Sequence, residues 1–129
     1  MKKTIFMEKY PIYTLELKKT EIAEKSVAEI IEYFKKQIET HPIAKFIAIF
    51  DHYSHTQNIN GEINESILDV QNILFCFGTA IPDTKMVAVR PRSIGVCELE
   101  NSFVIEFMEV PKEELNVVLE NWSKELMLK

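Results

Sequence analysis

The residues best suited to chemistry stand together in FIAIFDHYSH, residues 46–55, where an apolar run ends in Asp51, His52, Tyr53, Ser54 and His55. His52 and His55 supply two imidazoles, which ligate transition metals and exchange protons near neutral pH. Asp51 could add a third ligand or orient a ring. His52 and His55 are therefore the candidate metal ligands, and a transition metal is the cofactor they imply. Strand geometry works against this, because positions 52 and 55 of an extended chain point to opposite faces. The rings converge only if the chain turns after Tyr53, which Ser54 permits. A solvated strand end with a packed histidine is the ordinary alternative.

Two cysteines extend the set. Cys76 lies between Phe75 and Phe77, and Cys97 follows Val96. If the strands carrying them pair, both thiols could face one side and make a mixed His/Cys site. Buried free thiols acting as small hydrophobes are the ordinary reading of such neighbours. Asp51, His52, His55 and Cys76 are the candidate ligand-binding residues. Glu98, Glu106 and Glu109 could serve acid–base chemistry only in a cleft that raised a carboxyl pKa, and such residues usually make a solvated hairpin face. Gly61, Gly78 and Gly95 are too far apart for a phosphate-binding loop, a Rossmann fingerprint or a nucleophile elbow. No catalytic set is recognisable.

The 129 residues suit a single α+β domain spanning 1–129, and 47% hydrophobic with 27% charged residues is the profile of a soluble globular chain. Fifteen Lys and Arg against twenty Asp and Glu give a net charge of −5. That balance disfavours nucleic acid and anionic membranes, whose affinity for proteins comes from basic side chains. The small basic cluster of Arg90 and Arg92 cannot track a duplex. No segment reads as a membrane span. The opening MKKTIFMEKY has the lysines of a signal peptide without its apolar region, so a cytoplasmic location is expected.

Several elements must position these residues. Residues 11–18 alternate with Tyr13, Leu15 and Leu17 on one face, which predicts a half-buried strand. Ser26 and Glu29 form a capping box, and Val27, Ile30, Ile31, Phe34 and Ile38 make the apolar stripe of a helix running to about Thr40. Ala44 to about Tyr53 reads as a central strand covered on both faces, since its apolar residues occupy both parities. Residues 56–72 read as a surface loop with a helical turn near Glu65–Asp69. ILFCFG, residues 73–78, predicts another strand, and Pro82 a short helix. Residues 93–100 and 102–110 predict a hairpin turning at Glu100–Asn101. Pro111 is expected to open a final helix with Leu115, Val118, Leu119, Trp122 and Leu126 on its buried stripe.

The resulting order is strand, helix, four strands, helix. Four successive strands without long helices between them must be largely antiparallel. The expected architecture is an α+β two-layer sandwich: a five-stranded, mostly antiparallel curved sheet with two amphipathic helices on one face.

On these residues the chain resembles a known family, domain of unknown function 302. The resemblance covers residues 12–111. It rests on the amphipathic helix leading to an aliphatic strand that ends in Asp51-His52, on ILFCFG ending in Phe77-Gly78, and on Arg90-Pro91 before a strand pair closing at Pro111. Members of that family continue Phe-Gly with Asn-Pro, where this chain has Thr79 and Ala80. The resemblance implies a TATA-box-binding-protein-like β-α-β4-α fold and a homodimer, and no reaction.

Taken together, these features predict a small-ligand-binding or interaction module that self-associates. The alternative is a small metal-dependent or redox-active enzyme built on the strand-end His/Asp cluster and a cysteine.

Overall fold

Ser26 starts the longest helix as its neighbours require. Its hydroxyl accepts from the Glu29 amide at 3.1 Å, and the Glu29 carboxylate accepts in return from the Lys25 amide. The helix, α1, spans Val27–Thr40, and Val27, Ile30, Ile31, Phe34 and Ile38 are all buried along one stripe. His41 and Pro42 follow, and the chain turns back into the sheet. The computed structural model of the protein describes residues 1–128.

The sheet is antiparallel throughout and has six strands rather than the expected five. They are β1 (Lys2–Phe6), β2 (Tyr10–Lys18), β3 (Lys45–Phe50), β4 (Asp69–Cys76), β5 (Arg92–Glu98) and β6 (Ser102–Met108), in the spatial order β1-β2-β6-β5-β4-β3. Besides α1, the described residues form three further α-helices: α2 (His52–Asn58), the short α3 (Lys85–Ala88) and α4 (Glu113–Lys124). The two-helix expectation therefore fails as well. The α+β class stands, with β1 and α2 added and α3 the short helix expected after Pro82.

One sheet face carries the core. Leu17 and Tyr13 on β2, Phe103, Ile105 and Phe107 on β6, Ile94 and Val96 on β5, and Ile73 and Phe75 on β4 are buried under α1 and α4. The alternation of β6 is as the hairpin pattern predicts, with Val104, Glu106 and Met108 on the other side. Tyr33 of α1 donates from its hydroxyl to the Trp122 carbonyl of α4 at 2.6 Å, tying the two helices together. α4 begins two residues after Pro111, and its buried face includes the polar Asn116 and Ser123.

The second correction concerns the stretch around Phe46. β3 is an edge strand, not a central one. A register irregularity between Phe46 and Ala48 puts Phe46 opposite Phe75 on the core side and Phe50 opposite Asn72 on the other. An edge position leaves Ile47, Ile49 and Phe50 more than 40% exposed. The apolar run therefore marks an outer border that retains hydrophobic side chains, not a strand buried on both faces.

β1 was hidden because its turn lacks the usual residues. Met7 and Glu8 have φ of 54° and 61°, and the Lys9 amide donates to the Phe6 carbonyl at 3.2 Å. Hairpin turns with both central residues at positive φ normally use Asn and Gly, which meet little steric penalty there. Glu8→Gly is accordingly expected to stabilise the protein by about 1 kcal/mol. A higher urea midpoint would show it; a lower one would contradict the strain.

Candidate functional site

Asp51 does not end a strand; it begins a helix. Its carboxylate accepts from the Ser54 amide at 3.0 Å and caps α2. Helical spacing then places His52 and His55 on the same side of α2, and both rings lie against Phe50, with centroids 5.2 and 5.4 Å away. The Nδ1 of His52 is 3.2 Å from Asn72 Oδ1 on β4. The two imidazoles are thus brought together by a helix that begins at His52, not by the expected turn after Tyr53.

Cys76 is not part of that group. It lies at the other end of β4, opposite Lys45, whereas Phe50 is opposite Asn72. Four strand residues separate Cys76 from Asn72, roughly 13 Å at the usual rise. Cys97 is the thiol nearer α2: it pairs with Val70 and, with His52, Tyr53, Thr56 and Ile63, lines a shallow cavity of about 270 Å³. Cys76 and Cys97 share the sheet face away from the core, but six residues of β4 separate Cys76 from Val70, roughly 20 Å. Burial, and then the carboxylates of Glu106 and Asp69, push the Cys97 thiol up from its ordinary pKa, so it is a poor thiolate. Both cysteines are free.

The expected transition metal is corrected on this geometry. No group of three His, Cys, Asp or Glu suited to a metal ion occurs among the described residues. Asp51 is committed to its cap and Cys76 lies at the far end of β4, so neither completes a ligand set with the His pair. The hairpin carboxylates are separately engaged. Glu98 pairs with Lys19 at 2.6 Å, Glu106 accepts from the Thr14 hydroxyl at 2.7 Å, and Glu109 pairs with Lys3.

A second concavity lies at the opposite end of the sheet and was not foreseen. It has a volume of about 220 Å³. It forms where β4 runs out at Phe77 and Gly78, where β5 begins at Arg92, and where β6 passes through Val110 into Pro111 and α4. Ile43, Met86, Val89 and Leu115 supply further apolar wall, and Arg90, Arg92 and Lys112 are its charged members. Phe77 is a buried wall residue, stacked on Trp122 at 5.6 Å and edge-on to Phe75 and His41. Asn116 fixes the far wall: it accepts from the Val110 amide at 2.9 Å and donates to the Val110 carbonyl at 3.1 Å.

Arg92 braces the same region. Its Nη1 donates to the Val89 carbonyl at 2.9 Å, and its Nη2 to the carbonyls of Met108 and Glu109 at 3.0 and 2.7 Å. Burial pulls its pKa below the ordinary value. The Nη1 of Arg90 donates to the Ala80 carbonyl at 3.0 Å, and its guanidinium rests on the backbone of Gly78. A Cβ on Gly78 would stand 2.1 Å from the Arg90 Cζ, so only glycine lets the arginine lie there. The sequence signals were Gly78 closing a strand and two arginines flanking Pro91; their convergence with residues near 110 depends on β5 and β6 pairing.

Comparison with known proteins corrects the family resemblance. No curated protein and no solved structure matches the chain. The match found is to a different family from domain of unknown function 302, so the TATA-box-binding-protein-like assignment is withdrawn with it. That match spans residues 1–128, and the chain belongs to the family of unknown function DUF6858.

Proposed function

We propose that this protein is a non-catalytic module that binds a small ligand in the cavity bounded by Phe77, Arg92, Val110 and Leu115. The observation that carries the reading is the cavity itself: a largely apolar concavity with a few convergent polar groups is the usual form of a small-molecule site. Its walls come from four separate segments held by buried anchors, Phe77 and Asn116 among them, so the site is largely preformed. The ligand-observed NMR screen that tests this uses a mixed fragment library with the intact protein and Leu115→Trp. Fragments that bind the first and are lost from the second support it; hits unchanged by the filled cavity contradict it.

The cavity lined by His52, Tyr53 and Cys97 is the second reading of where a ligand sits. It is favoured by the two imidazoles gathered on Phe50. Asp51 and His55 would act there by shaping and orienting α2, and Cys76 is too distant to contribute.

Self-association is part of the same proposal. Ile47, Ile49 and Phe50 are exposed along the β3 border, with Ile43 beside it. Lys45 and the register irregularity oppose extension of the sheet by strand addition, so a second copy would meet this border through side chains. Light scattering of the intact protein and Ile49→Lys tests it. A dimer that the substitution dissociates supports the proposal; a monomer at all concentrations contradicts it.

A further inference from the structure

We propose that the cavity beside Phe77 takes a small organic anion, an apolar body ending in one carboxylate held by Arg90 and Arg92; this rests on that cavity being the ligand seat. The charge pattern points to the class. Arg90, Arg92 and Lys112 line the cavity, and no acidic residue does. Neither arginine forms an ion pair among the described residues, in a chain whose net charge is −5. Among the described residues, the carboxylate paired with Lys112 is that of Glu114, 3.8 Å away, with both side chains largely exposed.

The arginines are held by neutral groups instead. Carbonyls of Val89, Met108 and Glu109 fix the plane of Arg92 without cancelling its charge. A guanidinium has five N–H donors. Arg92 uses three of them, leaving Nε–H and one Nη1 hydrogen, and Arg90 uses one. Positioned guanidiniums with spare donors match a carboxylate, which accepts paired N–H bonds. A half-buried cation without a counter-ion also gains from meeting an anion in a site partly shielded from water.

The remaining wall sets the rest of the ligand. Phe77, Met86 and Leu115 offer hydrocarbon and aromatic surface, which a bare phosphate could not use and would lose hydration against. An anion with an apolar tail satisfies both halves of the cavity.

Gly78 becomes a positioning residue in this account. Its missing side chain lets the Arg90 guanidinium lie at the cavity edge, so Gly78→Ala displaces the arginine while leaving every charge in place.

Calorimetric titration with octanoate, octan-1-ol and inorganic phosphate tests the proposal on the intact chain. Octanoate should bind, with octan-1-ol and phosphate each weaker by about tenfold or more. Arg90→Gln should weaken octanoate by about tenfold and leave octan-1-ol unchanged, whereas Arg92→Gln, which also removes the brace on the Val89, Met108 and Glu109 carbonyls, should weaken octanoate by about tenfold more than it weakens octan-1-ol. Should Arg92→Gln fail to fold, Arg90→Gln and Gly78→Ala carry the test, since both residues sit at the rim. Octan-1-ol binding as tightly as octanoate would overturn the anion class while leaving the cavity reading intact. Octanoate binding unchanged by Arg90→Gln and Gly78→Ala would overturn the assignment of the two arginines. If none of the three probes binds, the anion class falls, and the fragment screen with Leu115→Trp decides separately whether the cavity is a ligand seat.

Discussion

Phe77→Ala is expected to cost about 3–5 kcal/mol of folding stability, the range for deleting a buried aromatic ring. Phe77 is only 4% exposed and touches aromatic partners on three sides: Trp122 stacked at 5.6 Å, Phe75 edge-on at 5.3 Å and His41 edge-on at 5.2 Å. These belong to β4, to the end of α1 and to α4, so one truncation loosens all three elements. The lost ring leaves a void next to the ligand cavity, whose wall it forms. Since a domain is typically stable by about 5–15 kcal/mol, the loss is a large fraction of the total. Urea denaturation should show a lower midpoint with the slope unchanged. Thr79→Ala, an exposed change two residues on, should stay within about 0.5 kcal/mol of the parent. Equal stability of Phe77→Ala and the parent would mean that the aromatic cluster is not core.

Asn116→Leu is the second large effect, expected to cost about 2–5 kcal/mol for a residue of the same branching pattern. Asn116 is fully buried, and its amide closes a ring of hydrogen bonds with both backbone groups of Val110. Leucine offers neither donor nor acceptor, so a buried N–H and a buried C=O lose their partners, each at about 1–3 kcal/mol. Its Nδ2 also donates to the Glu113 carboxylate at 3.2 Å, which links the turn after β6 to the first turn of α4. Freed of these bonds, the segment from Val110 to Leu115 should move, and the cavity should lose affinity along with the fold losing stability. Urea denaturation and fragment binding, measured on the same variant, check the two halves. A stable Asn116→Leu would show that the bonds to Val110 contribute little.

Much of this fold could be read in advance, where local signals and tertiary demands agree. The Ser26–Glu29 capping box and the five apolar positions after it specify α1 almost to the residue. The hairpin of β5 and β6 follows from strict alternation around Glu100 and Asn101. The failures have physical causes. Met7 and Glu8 occupy turn positions that normally demand Gly or Asn, so β1 gave no hairpin signal. Asp51 looked like a ligand because an N-cap and a metal ligand want the same side chain, and HYSHTQN has no apolar stripe to reveal α2. The hydrophobic pattern of β3 describes an exposed border as readily as a buried strand. Arg90 and Arg92 were visible only as a basic cluster too small for nucleic acid. Their role as cavity walls depends on Gly78, Val110 and Leu115, which strand pairing brings near and spacing along the chain cannot.

The central claim is that the cavity beside Phe77, and not the one beside His52, is the ligand seat. Amide chemical-shift mapping with octanoate on uniformly labelled protein tests it most directly, because Val70 and Phe77 lie at opposite ends of the β4 region, roughly 23 Å apart. The account predicts saturable shifts confined to Gly78, Arg90, Arg92, Val110 and Leu115. Shifts confined instead to Tyr53, Thr56, Ile63, Val70 and Cys97 would contradict it and move the site to α2.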